Sequence, residues 1–241
     1  MPQFFIKSSS IFQNRCTIDG DNFHHLVRVR RARINDDILL RLDDGSQAVA
    51  RIIGIGDSSL QVEIIEKKVN THHLEINLCV GLLKGKKFEL VIQKSAEIGI
   101  SRIIPVITER TVPEIKNKAD KKIERWRKIA IEASKQSMKG YITEIANIRR
   151  FSDLLTEIKS DIKILAHPGE GSRNIRDCIQ SAEKNPEISI LIGPEGGFSE
   201  KEVHLARQKG WVEAFFGFTQ MRSETAAIVL PAIIIYEWMG S

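Results

Sequence analysis

At 241 residues and 42% hydrophobic, the chain is long enough for one large folded domain or two ordinary ones, and it is too apolar to be disordered throughout. No apolar run reaches the roughly 18–20 residues that span a bilayer, and residues 1–7 lack the basic-then-apolar pattern of a secretory signal, so the expected compartment is the cytoplasm. A net charge of +5, with pI near 9.1, leans toward a polyanionic partner.

Up to about residue 70 the pattern is that of strands. Residues 21–28 predict the single helix of this part. Ile38, Leu40 and Leu42 alternate with charged or bulky neighbours, Asp44-Gly45 is a hairpin signal, and the next strand runs through Val49, Arg51 and Ile53. Leu60, Val62 and Ile64 make another period-two run. Short strands with tight turns predict a small β-barrel over residues 1–70, with a linker at 67–74.

From Leu74 onward strands and helices take turns, which predicts a parallel α/β sheet with helices on both faces. Residues 76–83 are nearly all apolar, as a strand buried on both faces requires. Residues 86–98 predict a helix with Phe88, Val91, Ile92, Ser95 and Ala96 on one face and Gly99 as its stop. A strand is expected at 102–107. Asp120 reads as the cap of a long helix to about Met138, with Ile123, Trp126, Ala130 and Ala133 facing inward. Further strands are expected at 162–166, 188–192 and 212–216. Ser199 and Glu202 form the capping box of a helix that stops at Gly210. The last helix spans about 224–238, where Pro231 is expected to kink or split it.

Cys16, Cys79 and Cys178 are odd in number and far apart, the pattern of reduced structural thiols. In His24-His25 and His72-His73 the neighbours point to different sides of a strand or helix, so no metal is expected. The positive charge gathers in two places. His24, His25, Arg28, Arg30, Arg31 and Arg33 fall within ten residues, followed by Arg41 and Arg51, while Lys84, Lys86, Lys87 and Lys94 open the next region. A charge run is usually a solvated face. Two clusters in separate elements favour contact with RNA phosphates.

Three segments lie just after predicted strands: His167-Pro168-Gly169, Gly193-Pro194-Glu195-Gly196-Gly197, and residues 217–224. They share the carboxyl edge of the sheet, where ligands of such folds bind. The second segment, with three glycines and a proline in five positions, gives a rigid, side-chain-poor loop that a flat ligand can approach closely. An ordinary tight strand-to-helix turn has the same composition. Neither the dinucleotide nor the nucleoside triphosphate glycine fingerprint is present.

Leu191-Ile-Gly-Pro-Glu-Gly-Gly-Phe-Ser199, then Gly217, then Met221-Arg-Ser-Glu-Thr-Ala-Ala227 resemble the RsmE family, the 16S ribosomal RNA uridine N3-methyltransferases of the SPOUT superfamily. His167-Pro168, Gln136-Ser137, Gln93-Lys94-Ser95-Ala96-Glu97-Ile98-Gly99, Asp44-Gly45 and His24-His25-Leu26 extend the resemblance over nearly the whole chain. It implies a PUA-like RNA-binding barrel over 1–70 and a SPOUT methyltransferase domain over 74–241 with a C-terminal trefoil knot, in a homodimer. It implies S-adenosyl-L-methionine as cofactor, held by Ala166, His167, Pro168, Ile192, Gly193, Pro194, Glu195, Gly196, Gly197, Phe216, Gly217, Met221 and Thr225. The target implied is N3 of a uridine in 16S rRNA of the small ribosomal subunit.

Uracil N3 carries a weakly acidic proton, so such a site needs a cation beside the developing anion and a group to take the proton. Arg222 and Glu224 are the candidates for those roles; their alternative is to pair with each other and cap the final helix. His167 reads as a loop-shaping residue, Glu195 as a helix cap or a partner of backbone amides, and Trp126 as core. Contact with RNA is expected from His24, Arg28, Arg30, Arg31, Arg33, Lys84, Lys86, Lys94, Lys135 and Lys139. The chain departs from the family pattern at Lys135, Met138, Ala166, Thr219 and Gln220, which bears on how the target base is gripped. Alternative functions are a SPOUT methyltransferase of another rRNA or tRNA nucleotide, and a non-catalytic ribosome-assembly factor. A dinucleotide-dependent oxidoreductase is disfavoured by the missing fingerprint.

Overall fold

A computed structural model of the chain describes residues 3–42, 46–68, 74–111, 119–137, 141–169, 172–179, 186–215 and 220–239, with backbone alone at Gln3, Phe5, Lys68 and Met239. The chain divides into two compact units, residues 1–71 with 138–142 and residues 72–137 with 143–241.

The first unit contains β1 (Gln3–Ile6), β2 (Arg15–Asp19), α1 (Gly20–His24) running on into a π-helical turn at His25–Val29, β3 (Asp37–Leu42), β4 (Gln47–Ile55) and β5 (Ser59–Lys68). They form one sheet in the order β1-β3-β4-β5-β2, parallel between β1 and β3 and antiparallel elsewhere. Ile38 stands opposite Ala50 and Leu40 opposite Ala48. That register turns Ala48, Ala50 and Ile52 inward, so the buried face of β4 is the even-numbered one rather than that of Val49, Arg51 and Ile53. Large aliphatics facing alanines fill the core without strain, and Phe4, Cys16, Ile18, Phe23, Leu26, Leu60 and Val62 complete it.

Strands β1 and β2 have no counterpart in the sequence reading, because β2 offers only Cys16 and Ile18 as inward residues. Before β2 the chain turns tightly through Gln13 and Asn14, both at positive φ. The expected linker overlaps structure: Lys67 and Lys68 lie in β5, while residues 69–73 and the Asp44-Gly45 signal lie outside the described residues.

The second unit contains β6 (Glu75–Gly81), α2 (Lys87–Ile98), β7 (Arg102–Ile107), α3 (Ala119–Gln136), β8 (Glu144–Ile145), β9 (Arg149–Arg150), α4 (Phe151–Glu157), β10 (Ile162–Ala166), β11 (Arg173–Asn174), α5 (Ile175–Ile179), β12 (Glu187–Ile192), α6 (Glu200–Gln208), β13 (Val212–Phe215) and α7 (Ser223–Met239). Every strand pair here is parallel, in the order β11-β13-β10-β12-β6-β7-β8, with β9 also on β7. Alternate residues of the strands feed two cores. Ile76, Leu78, Val80, Ile188, Ile190 and Ile192 pack with α2, α3, α5 and α7. Cys79, Ile104, Leu165 and Leu191 pack with α4 and α6.

The inward residues of α2 and α3 are those their periodicity predicts, and Gly99 ends α2 at φ 109°. Asp120 sits inside the first turn of α3 rather than capping it. The helix α7 runs unbroken through Pro231, so the expected split does not occur. Ala227 and Leu230 before the proline and Ile234 after it are all in the core, and this packing holds both halves in one helix. The cysteines are buried and free.

Candidate active site

The loops after β10 and β12 and the approach to α7 meet in one cavity of about 1030 Å³. Its lining includes Ala166, His167, Pro168, Ile192, Gly193, Pro194, Glu195, Gly196, Gly197, Met221, Arg222 and Glu224, so most of the residues expected to hold a cofactor converge there. Thr225 is exposed and does not line it, and Phe216 and Gly217 lie outside the described residues. Lys87, Arg110, Phe198, Ala214, Phe215, Gln220, Ser223, Ala226 and Leu230 line it as well. Of these, Phe198, Gln220, Ser223 and Ala226 fall within the segments singled out from the sequence, while no local pattern pointed to Lys87, Arg110, Ala214, Phe215 or Leu230 as cavity residues.

The shape of the glycine loop follows from what surrounds it. A Cβ on Gly193 would stand 3.2 Å from the backbone of Gly197 and 3.3 Å from the Phe198 ring. One on Gly81, at the end of β6, would come within 2.6 Å of Pro194. The loop therefore packs backbone against backbone, and Gly197 closes it at φ 67°. Arg110 lies over it and donates from Nη1 to the Gly196 carbonyl at 2.9 Å. At its exit the Ser199 hydroxyl donates to Glu109 and accepts from the Glu202 N–H, while Glu202 accepts from the backbone N–H groups of Ser199 and Glu109. The capping box thus also ties the loop to the end of β7.

Glu195 caps no helix. Its Oε1 accepts from the Lys84 N–H at 3.1 Å and pairs with Lys87 at 3.5 Å. Burial would raise its carboxyl pKa, but these amide and ammonium partners outweigh that and hold it below the usual range. His167 Nδ1 lies 3.1 Å from Glu213, whose other oxygen meets Arg207. Burial pushes the Glu213 carboxyl up, and the Arg207 and His167 contacts overcome it, leaving the carboxyl depressed. A Cβ on Gly169 would strike the Glu213 carboxylate at 2.6 Å, so the loop after β10 is shaped around this group.

Glu224, in the first turn of α7, pairs with Lys87 at 3.3 Å. The ion pair between Arg222 and Glu224 considered from sequence is replaced by this one. Glu224 keeps 13% of its side-chain exposure, and its Oε2 is buried with no hydrogen-bond partner among the described residues. Arg222 is exposed at the cavity wall.

His24, Arg28, Arg30, Arg31 and Arg33 are exposed on the first unit. Arg41 is buried, and Arg51 forms a 2.8 Å pair with Asp37, so neither extends that cluster. On the second unit Lys84 and Lys86 are exposed, Lys94 pairs with Glu97 and Lys135 with Glu132, and Lys139 lies outside the described residues.

The family model described as "RNA methyltransferase domain" matches residues 70–235, and that described as "RNA methyltransferase PUA domain" matches residues 18–65. The chain is 31% identical to the ribosomal RNA small subunit methyltransferase E of Bacillus subtilis over 92% of this chain and 90% of that one. It is 33% identical to ribosomal RNA small subunit methyltransferase E 2 of Borreliella burgdorferi over 87% and 86% of the two chains. Its fold is similar to that of a ribosomal RNA small subunit methyltransferase E from Neisseria gonorrhoeae solved bound to S-adenosyl methionine, with a TM-score of 0.79, 26% identity and 98% of each chain covered. It is also similar to a putative methyltransferase from Legionella pneumophila solved with the same cofactor, at a TM-score of 0.75 and 28% identity over 97% and 96% of the chains.

Proposed function

The chain belongs to the ribosomal RNA small subunit methyltransferase E family, and from that premise we propose that it methylates N3 of a uridine in 16S rRNA of the small ribosomal subunit, in the cytoplasm, with S-adenosyl-L-methionine as methyl donor. The observation that carries the reading is the cavity whose wall brings together the glycine loop, Arg222 and the Glu224 carboxylate. The cavity suits a ligand of the cofactor's size, and Gly193, Gly196 and Gly197 put backbone in place of side chains on that part of its wall. When bound, S-adenosyl-L-methionine supplies an electrophilic methyl carbon on a sulfonium sulfur that departs as a neutral thioether.

The protein's own tasks are then alignment, charge and proton removal. The residues proposed to hold the cofactor are those of the loops after β10 and β12 together with Met221. Arg222, at the cavity wall, is assigned to the charge that develops on the imide when N3 loses its proton. The Glu224 carboxylate, at the cavity wall, is assigned as the acceptor of that proton. His24, Arg28, Arg30, Arg31 and Arg33, with Lys84 and Lys86, are assigned to rRNA phosphates.

Two further assignments belong to this reading. A trefoil knot through the loops following β10, β12 and β13 is supported by the family resemblance and by the order β13-β10-β12 of these strands in the sheet. A homodimer is supported by α7, which is apolar on every side, with Ile228, Val229, Ala232, Ile233 and Ile235 half-buried and Tyr236 76% exposed.

The test is methyl transfer from radiolabelled S-adenosyl-L-methionine to small subunits from cells lacking the gene, beside free 16S rRNA and tRNA, followed by nucleoside analysis. The expected product is 3-methyluridine in the small subunit. Methyl transfer to tRNA, or a different methylated nucleoside, overturns the substrate assignment; cofactor binding with no transfer to any RNA overturns the reaction.

A further inference from the structure

Lys87 opens α2 and reaches two carboxylates from different parts of the cavity wall, Glu195 of the glycine loop at 3.5 Å and Glu224 of α7 at 3.3 Å. Only one oxygen of Glu224 faces the ammonium; the other is buried and without a hydrogen-bond partner among the described residues. An ionised carboxylate with a bare, buried oxygen is costly unless a nearby cation offsets it, and Lys87 is the cation paired with it. Glu195 is itself fixed by the Lys84 N–H, so the ammonium is held from a second side and its position is determined by the backbone of two loops. The helices α2 and α7 pack together through Phe88, Val91, Leu230 and Ile234 in one core, which sets the distance between the two side chains.

We infer that Lys87 is a positioning residue for the methyl-transfer reaction. Its ammonium pairs with Oε1 of Glu224 and so fixes the carboxylate at the cavity wall, where it takes the proton from a uracil N3. The proton passes from N3 to the Glu224 carboxylate and then to solvent, and the electron pair left on N3 is the one that accepts the methyl group. This inference rests on the assignment of Glu224 as proton acceptor. The other charged groups lining the cavity are Arg110, His167, Glu195 and Arg222. Arg110 is engaged by the Gly196 carbonyl and His167 by Glu213, while Arg222 is exposed at the cavity wall.

The experiment compares Lys87→Met, Lys87→Arg and Glu224→Gln with the parent, each checked for cofactor affinity by calorimetry. The first readout is the rate of single-turnover methylation of small subunits at saturating cofactor. The second is the 13C chemical shift of the Glu224 carboxyl in glutamate-labelled protein without ligand, its resonance identified by its loss in Glu224→Gln. Lys87→Met is expected to bind the cofactor as the parent does and to slow transfer roughly 10- to 100-fold. The Glu224 carboxyl resonance moves because its ion-pair partner is gone, and Lys87→Arg restores most of the rate. An unchanged transfer rate or an unmoved Glu224 resonance in Lys87→Met overturns the inference. So does a loss confined to cofactor affinity, which would make Lys87 a prop for the Glu195 loop. Full activity in Glu224→Gln would instead remove the proton-acceptor assignment beneath it.

Discussion

Glu213 shows how one buried carboxylate organises a loop it does not belong to. It sits in β13, yet it holds His167 of the loop after β10 and is itself held by Arg207 of α6. Glu213→Gln is expected to cost about 1–3 kcal/mol at neutral pH, because Arg207 and His167 lose a charged acceptor. The folded carboxyl titrates below its ordinary value, so its stabilisation is complete above the unfolded value of about 4 and fades as pH falls through the folded one. Denaturant unfolding should therefore show a gap between parent and Glu213→Gln that is widest near pH 7 and narrows below about pH 4; a gap constant with pH would disprove the ion-pair account. Little of this was legible in the sequence. His167 read correctly as a residue of the loop, but its partner lies 46 residues further on, and no spacing rule joins the two. The same is true of Lys87, which looked like one member of a basic run and instead pairs with two carboxylates of the cavity wall.

At the level of elements, what is local could be read and what depends on crossing chains could not. The capping box at Ser199 and the stop at Gly99 are written in adjacent residues, and both appear where their patterns put them. The helices α4 and α5 are too short for a period to register, and the inward phase of β4 depends on its register with β3. Gly81 belongs to the second kind. In the sequence it is one glycine in an apolar strand, yet it is the place where β6 and the Pro194 loop touch. Gly81→Ala is expected to push that loop away and weaken cofactor binding at least tenfold by calorimetry. The cost in stability should be about 1–3 kcal/mol, as for an overpacked site. Equal affinity in the variant would show that the contact has no bearing on the site.

For the whole molecule, the alternation of strands and helices gave the class of the second unit and the short strands gave that of the first, while the neighbour relations within the sheet stayed hidden. No periodicity shows that β6 pairs with β12 rather than with β10. The apolar surface of α7 carries a prediction at this scale. If the proposed homodimer uses this surface, Tyr236→Asp, at a position 76% exposed, should shift sedimentation toward the monomer without changing the folded secondary structure; an unchanged sedimentation coefficient would overturn the proposal of a dimer through α7. The late pairing of β6 also governs how the protein is made. Its flank toward β12 has no partner until more than a hundred further residues have left the ribosome. Through most of synthesis the nascent chain carries an open, apolar strand edge of the kind that invites aggregation. The cavity closes only when β12, β13 and α7 arrive, so the chain gains the capacity to bind its cofactor only after α7 has been made, and a product cut short before β12 would be recognisable to chaperones by the edge it leaves bare.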